Sequence, residues 1–236
     1  MKYIIIGDSW GMGEFVSKGL WIEPVPDTGI EHYLREAGHN VDNYAVGSAG
    51  NFGQLRNLYW KLKDNCNYDF VVWFHTEPLR DIQQIIIDEP SEGQLYFPDF
   101  NINSWKDSLH YITQVNYDYA QKIYKEFNIP FIVVGGQSPV DSIIDNYEFA
   151  CTRIDNWLAQ LLNIDFKVFP STIGSWHKIE KILKHYGVDL KKFIVENTDE
   201  LETIIRIENL AKDSELFPDN AHPGRECFKK LAQKLL

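Results

Sequence analysis

Three side chains have the types that make an activated oxygen nucleophile: Ser9, Asp219 and His222. A serine hydroxyl is inert until a base within hydrogen-bond reach takes its proton. That base needs an acceptor on its other ring nitrogen to hold its tautomer. Asp219 and His222 stand close together in "FPDNAHPGRECFKKLAQKLL". At this spacing a carboxylate can hold one imidazole nitrogen while the other points outward. Pro223 stiffens the turn, and the segment from Arg225 to Leu236 anchors it as a helix. Ser9 lies at the other end of the chain, in "YIIIGDSWGMG".

Two other chemistries compete for the Gly7-Asp8-Ser9 turn. A dinucleotide or phosphate loop needs Gly-x-Gly-x-x-Gly, but Gly11-Met12-Gly13 runs on to Val16, and no Gly-Lys-Ser/Thr occurs. The nucleophile elbow of α/β-hydrolases is matched locally by Gly7-x-Ser9-x-Gly11. That elbow follows several strands and an earlier oxyanion loop, whereas one strand alone precedes Ser9.

The elements that would position these groups alternate. Short apolar runs predict strands at Ile4–Ile6, Val41–Val46, Phe70–Phe74 and Phe131–Val134, with a fifth at Phe166–Phe169. Helical spacing covers Ile30–Ala37, Phe52–Leu62, Trp105–Phe127, Tyr147–Leu162 and Arg225–Leu236. Continuously apolar strands between amphipathic helices predict an α/β fold, a parallel sheet with helices on both faces. Working residues then collect beyond the carboxyl ends of the strands. Those ends carry Gly7-Asp8-Ser9, Gly47 to Asn51, His75-Thr76-Glu77 and Gly135-Gly136-Gln137. Asp81 to Asn103 reads as a long loop over that rim. The expected organisation is one domain over residues 1–236, with a helical insertion around 170–215.

Composition narrows the partners. A net charge of -11 repels phosphate backbones, and no Lys/Arg cluster overrides it, so nucleic acid is not an expected partner. Three widely spaced cysteines, Cys66, Cys151 and Cys227, form neither a disulfide framework nor a metal cluster. No other His spacing suggests a metal, and no cofactor is expected. The expectations include no signal peptide, no membrane span and a cytosol-like compartment. Trp10, Trp73 and Trp105 are candidates to stack on a sugar, with Trp73 placed in a strand core.

Gly7-Asp8-Ser9 ending the first strand, with Asp219-x-x-His222-Pro223 before the last helix, resembles the SGNH hydrolase superfamily of GDSL-type esterases and lipases. The resemblance runs in order along the whole chain. It implies a flavodoxin-like three-layer α/β/α sandwich with a five-stranded parallel sheet. It implies ester hydrolysis without a metal, through a serine acyl-enzyme: Ser9 attacks, His222 is base then acid, and Asp219 orients His222. The N–H of Ser9 would be one oxyanion donor, and a glycine N–H after the second strand another. "NYAVGSAGN" is similar to the family's Asn-x-x-x-x-Gly but shifted by one, so Gly47 or the N–H of Ser48 fills that role.

The third donor departs from the pattern. Where the family has Gly-x-Asn-Asp this chain has His75-Thr76-Glu77-Pro78, and an ionised Glu77 cannot donate to an oxyanion. Asn51, Thr76 or His75 are the replacements at hand. "VVWFHTEPLRD" is also similar to a subgroup found among phage and bacterial proteins; there Arg80 would pair with Glu77 or with an acidic substrate. Asp8, Trp10, His75, Arg80 and Gln137 complete the candidate pocket. The expected substrate is a small acyl ester, such as O-acetyl on a carbohydrate. The alternatives are a lipase or thioesterase, and a binding or structural protein, such as a phage-particle component, that kept the fold without efficient catalysis.

Overall fold

The computed structural model describes residues 1–18, 21–78, 80–81, 105–136, 139–163, 189, 209–210, 214–219 and 222–236. Five parallel strands form the main sheet: β1 (Lys2–Gly7), β4 (Asn40–Asn43), β5 (Phe70–His75), β6 (Phe131–Gly135) and β7 (Ala150–Ile154). Their spatial order is β4-β1-β5-β6-β7. The chain leaves β1 for β4 on one side, then crosses back to β5 on the other. A doubly wound sheet makes its crevice at that reversal, beyond the carboxyl ends of β1 and β5.

Side chains alternate along each strand and so fill two cores. Tyr3, Ile5, Val72, Phe74, Ile132 and Val134 face one side. There they meet Ile30 and Leu34 of α1 (Ile30–Glu36), together with Phe228 and Leu231 of the last helix, Arg225–Leu235. Ile4, Ile6, Val71, Trp73, Phe131 and Val133 face the other side. They meet Leu55, Leu58 and Leu62 of α2 (Asn51–Asp64) and Tyr117, Ala120 and Ile123 of α3 (Trp105–Phe127). Each fully buried Val, Leu, Ile or Phe among them contributes about 1.5–3 kcal/mol. The last helix therefore docks on the sheet face below β1, which brings its N-terminal turn to the Ser9 rim.

Two differences from the sequence expectation stand out. The helix expected over Tyr147–Leu162 is instead β7 followed by α4 (Trp157–Leu162). Pairing with β6 overrides the helical spacing: β7 is an edge strand whose Cys151, Thr152 and Arg153 face solvent, so it lacks the apolar run of an inner strand. Asn156 marks the break, its side chain capping α4 by accepting from the Ala159 N–H. The second difference is an antiparallel hairpin, β2 (Phe15–Lys18) with β3 (Trp21–Pro24), forming a separate sheet after the Ser9 turn. Aromatic and β-branched residues on both sides of Gly19 are its sequence signal. The strand expected at Phe166–Phe169 and nearly all of the 170–215 insertion lie outside the described residues. Among the described residues no helix is long and apolar enough to cross a membrane. The last helix, Arg225–Leu235, is α5.

Gly7 ends β1 at φ +136°, and a Cβ there would lie 2.6 Å from both Cβ and the carbonyl oxygen of Phe74. Both the conformation and the approach to β5 require glycine. Gly7→Ala is expected to cost about 3 kcal/mol or more, read as a lower urea midpoint with an unchanged slope.

Candidate active site

Ser9 begins a single 3-10 turn, Ser9–Gly11, immediately after β1. Asp8 caps that turn: its Oδ1 accepts the Trp10 N–H at 3.0 Å. At the other end of the chain Asp219 shapes the turn before α5, its Oδ1 accepting the main-chain N–H of His222 at 2.6 Å. Its Oδ2 lies 2.6 Å from His222 Nδ1. A carboxylate there accepts a hydrogen bond from Nδ1–H, so the proton stays on Nδ1 and Nε2 is left as the acceptor. His222 Nε2 lies 2.8 Å from Ser9 Oγ, bridging 213 residues of sequence. The arrangement can remove the hydroxyl proton as Ser9 attacks an electrophile. Asp219 and His222 are both buried, which strengthens their attraction by excluding water.

The loop after β4 flanks Ser9's turn. Val46 continues the ladder, its N–H donating to the Gly7 carbonyl at 3.0 Å. Ser48 holds φ +62°, the left-handed region that favours glycine, whereas Gly47 does not. The glycine-like conformation therefore falls on Ser48.

The loop after β5 is a buried polar lattice. Arg80 Nε donates to Glu77 Oε1 at 2.5 Å, and its Nη1 to Asp8 Oδ2 at 2.9 Å. Thr76 Oγ1 donates to Glu77 Oε2 at 2.7 Å. All four side chains are buried. Burial pushes the Asp8 carboxyl up, with the Arg80 charge pulling against it. Asn51, the first residue of α2, spends its amide on the main chain of Thr76: Nδ2 donates to the carbonyl at 2.8 Å and Oδ1 accepts the N–H at 3.0 Å. Asp81 caps α2 from this loop, accepting the Phe52 N–H at 2.9 Å and Asn116 Nδ2 at 2.8 Å.

Asn51, Thr76 and Glu77 were expected as oxyanion or substrate groups; in the structure their side chains bond one another, Arg80 and the main chain. Trp10 was expected in the pocket, yet it is 1% exposed and packs edge-on against Trp157 at 5.7 Å. Trp73 is likewise core, so neither offers a sugar-stacking face. His75 is 1% exposed between Trp73 and Tyr117, and burial lowers its pKa to about 4, leaving it neutral. Gln137 and the side chain of Trp105 lie outside the described residues. Sequence reasoning missed Glu14 and Phe15, which hold the His222 turn from outside the recognised motifs, and gave no role to Asp81, the last residue of "VVWFHTEPLRD".

No protein-family model and no curated protein matches the sequence. Solved structures do match it along its whole length. The psychrotrophic esterase EstA from Pseudoalteromonas sp. is 10% identical, covering 99% of this chain and 92% of its own, with a TM-score of 0.48. A carbohydrate acetylesterase family member from Sinorhizobium meliloti is 10% identical over 100% of this chain and 95% of its own, at 0.46. TesA is 13% identical over 100% of this chain and 96% of its own, at 0.45. What the site can do follows from its own geometry.

The rim makes two predictions. Arg80→Met leaves Asp8 and Glu77 buried without their cation and is expected to cost about 3–5 kcal/mol in urea unfolding at neutral pH. Asp81 gives a pH signature. Burial is the largest cause raising its pKa to about 6, against an unfolded value near 4. The folded state thus binds this proton more readily, so stability is lost as pH rises between those values. The loss is on the order of 2–3 kcal/mol. Asp81→Asn is expected to remove that dependence and to match or exceed the parent's stability at pH 7.5. Among the described residues Asn116 Oδ1 has no partner and can accept from the new amide.

Proposed function

We propose that the protein is a serine ester hydrolase of the SGNH type acting on a small acyl ester. One observation carries this reading: His222 bridges Ser9 Oγ at 2.8 Å and Asp219 Oδ2 at 2.6 Å. In the first half-reaction Ser9 Oγ attacks the ester carbonyl carbon and its proton passes to His222 Nε2. The carbon–oxygen bond to the alcohol breaks, and His222 returns the proton to the departing oxygen. Water then attacks the acyl-serine with His222 again as base; the acyl–Oγ bond breaks, His222 returns the proton to Ser9 Oγ, and the acid leaves. Asp219 stabilises the imidazolium formed in each half. The main-chain N–H groups of Ser9 and Ser48 are the proposed oxyanion donors. Arg80 neutralises Glu77, so the carboxylate that stands in the family's Asn position does not face the oxyanion as a bare charge.

The burial of Trp10 and Trp73 weakens the carbohydrate expectation, so the acyl group carries the substrate reading. A second reading has a specific observation behind it. Asn51 and Thr76 are engaged elsewhere, and a missing side-chain donor costs roughly a hundredfold or more in rate. On that reading the protein is a binding or structural relative with residual chemistry at most.

A fluorophosphonate probe separates the two. The esterase reading expects labelling of the wild type and none of Ser9→Ala, with labelling of His222→Ala slowed at least a hundredfold. A p-nitrophenyl ester series should show turnover falling from acetate to palmitate. Labelling that survives Ser9→Ala, or a wild type that neither labels nor turns over any ester, overturns it. A rise towards palmitate would favour a lipase or thioesterase.

A further inference from the structure

Where the chain passes from Ser9's turn into the hairpin, two consecutive side chains, Glu14 and the first residue of β2, Phe15, grip the His222 turn. Phe15 is buried and lies nearly face to face with the His222 imidazole, ring centroids 4.1 Å apart and planes 26° apart. Glu14 Oε2 accepts the main-chain N–H of Arg225, the first residue of α5, at 2.9 Å. Its Oε1 accepts from Arg225 Nη2 at 3.1 Å. Burial alone would raise the Glu14 carboxyl, but the side-chain and main-chain bonds and the charge of Arg225 hold it below the usual range. Glu14 is itself fixed. Its N–H donates to Thr28 Oγ1 at 2.9 Å and its carbonyl accepts the Val25 N–H at 2.8 Å. The Thr28 hydroxyl closes the ring on the Val25 carbonyl at 2.7 Å.

Asp219 holds His222 at its main chain and at Nδ1. On the ring itself, the bonds at Nδ1 and Nε2 fix two points and leave tilt about the line joining them unconstrained. A stacked aromatic removes the tilt, and its face also favours the imidazolium that forms as Ser9 attacks. Fixing the start of α5 removes the remaining translation. We propose that Glu14 and Phe15 are positioning residues for His222: Phe15 sets the plane of the imidazole and Glu14 sets the helix behind it. Nε2 then stays aimed at Ser9 Oγ. The proposal rests on the esterase reading of the site.

The test compares variants of the full chain at a temperature where circular dichroism shows each folded. Phe15→Leu keeps apolar bulk without a π face. It should lower kcat about tenfold on p-nitrophenyl acetate, with KM within about twofold. Fluorophosphonate labelling, which needs no substrate affinity, should slow in parallel. Phe15→Tyr keeps the ring and should recover to within about twofold of wild type. Glu14→Ala should lower kcat about tenfold, while Glu14→Gln, which still offers an acceptor to the Arg225 N–H, should retain most of it. Unchanged kcat in Phe15→Leu and Glu14→Ala overturns the proposal, as does a Phe15→Tyr variant no better than Phe15→Leu. NMR of the His222 ring protons adds a readout independent of turnover. In the wild type they should lie upfield through the ring current of Phe15, and this displacement should vanish in Phe15→Leu. Loss of the displacement in a protein that never labels would sink the esterase reading while keeping the stacking. An unmoved signal would overturn the positioning role whatever the activity.

Discussion

The hydrogen bond between His222 and Ser9 spans 213 residues, so nothing local can hold it. Each end sits on a turn shaped by a local bond, Asp8 under Trp10 and Asp219 under His222, and steadied by distant residues, Arg80 on Asp8 and Glu14 and Phe15 on the His222 turn. The distance between the turns is set by the core. Helix α5 places Phe228 and Leu231 on the same sheet face as Tyr3 and Ile5 of β1. Close packing of that layer is what gives the hydrogen bond its precision, because a packed interior has few alternative arrangements within an ångström. The doubly wound order then guarantees that the turn after β1 opens on the crevice rather than on a buried edge.

The loop after β5 follows a different logic. It carries charged residues into a dry region, which is costly unless each is paired. Arg80 meets both Asp8 and Glu77, and Thr76 meets Glu77's other oxygen. This lattice ties the end of β5 to the turn that bears Ser9. Asn51 and Asp81 extend it to the start of α2. A segment that resembles an altered oxyanion block is therefore, in this protein, a clamp between two strand ends. Its stiffness serves the same end as the packing of α5: it keeps the Ser9 turn where His222 can reach it.

The inner strands were legible because they are continuously apolar, and α3 because Leu109, Ile112, Tyr117, Ala120 and Ile123 recur at helical spacing. Edge strand β7 was not. Its apolar residues also fit a helical period, and the pairing with β6 that decides the matter is long-range. The hairpin was missed for a related reason: two four-residue strands carry little periodicity, and their pairing is with each other rather than with the main sheet. At the site, Ser9, Asp219 and His222 were legible because a base, its acceptor and a hydroxyl form a recognisable set of types. Glu14 and Phe15 belong to no motif, and their importance rests entirely on what stands opposite them.

By itself the sequence determined the fold class, the order of the inner elements and the three residues whose chemistry belongs together. Those follow from local periodicity and side-chain type, which a linear chain displays directly. Only the tertiary structure decided that Ser48 rather than Gly47 takes the left-handed turn and that Trp10 is core rather than rim. It also decided that Glu77 answers Arg80, and that Phe15 lies on His222. Each of these depends on which distant atoms arrive within about 4 Å. That is a property of how the layers pack, and no spacing along the chain encodes it.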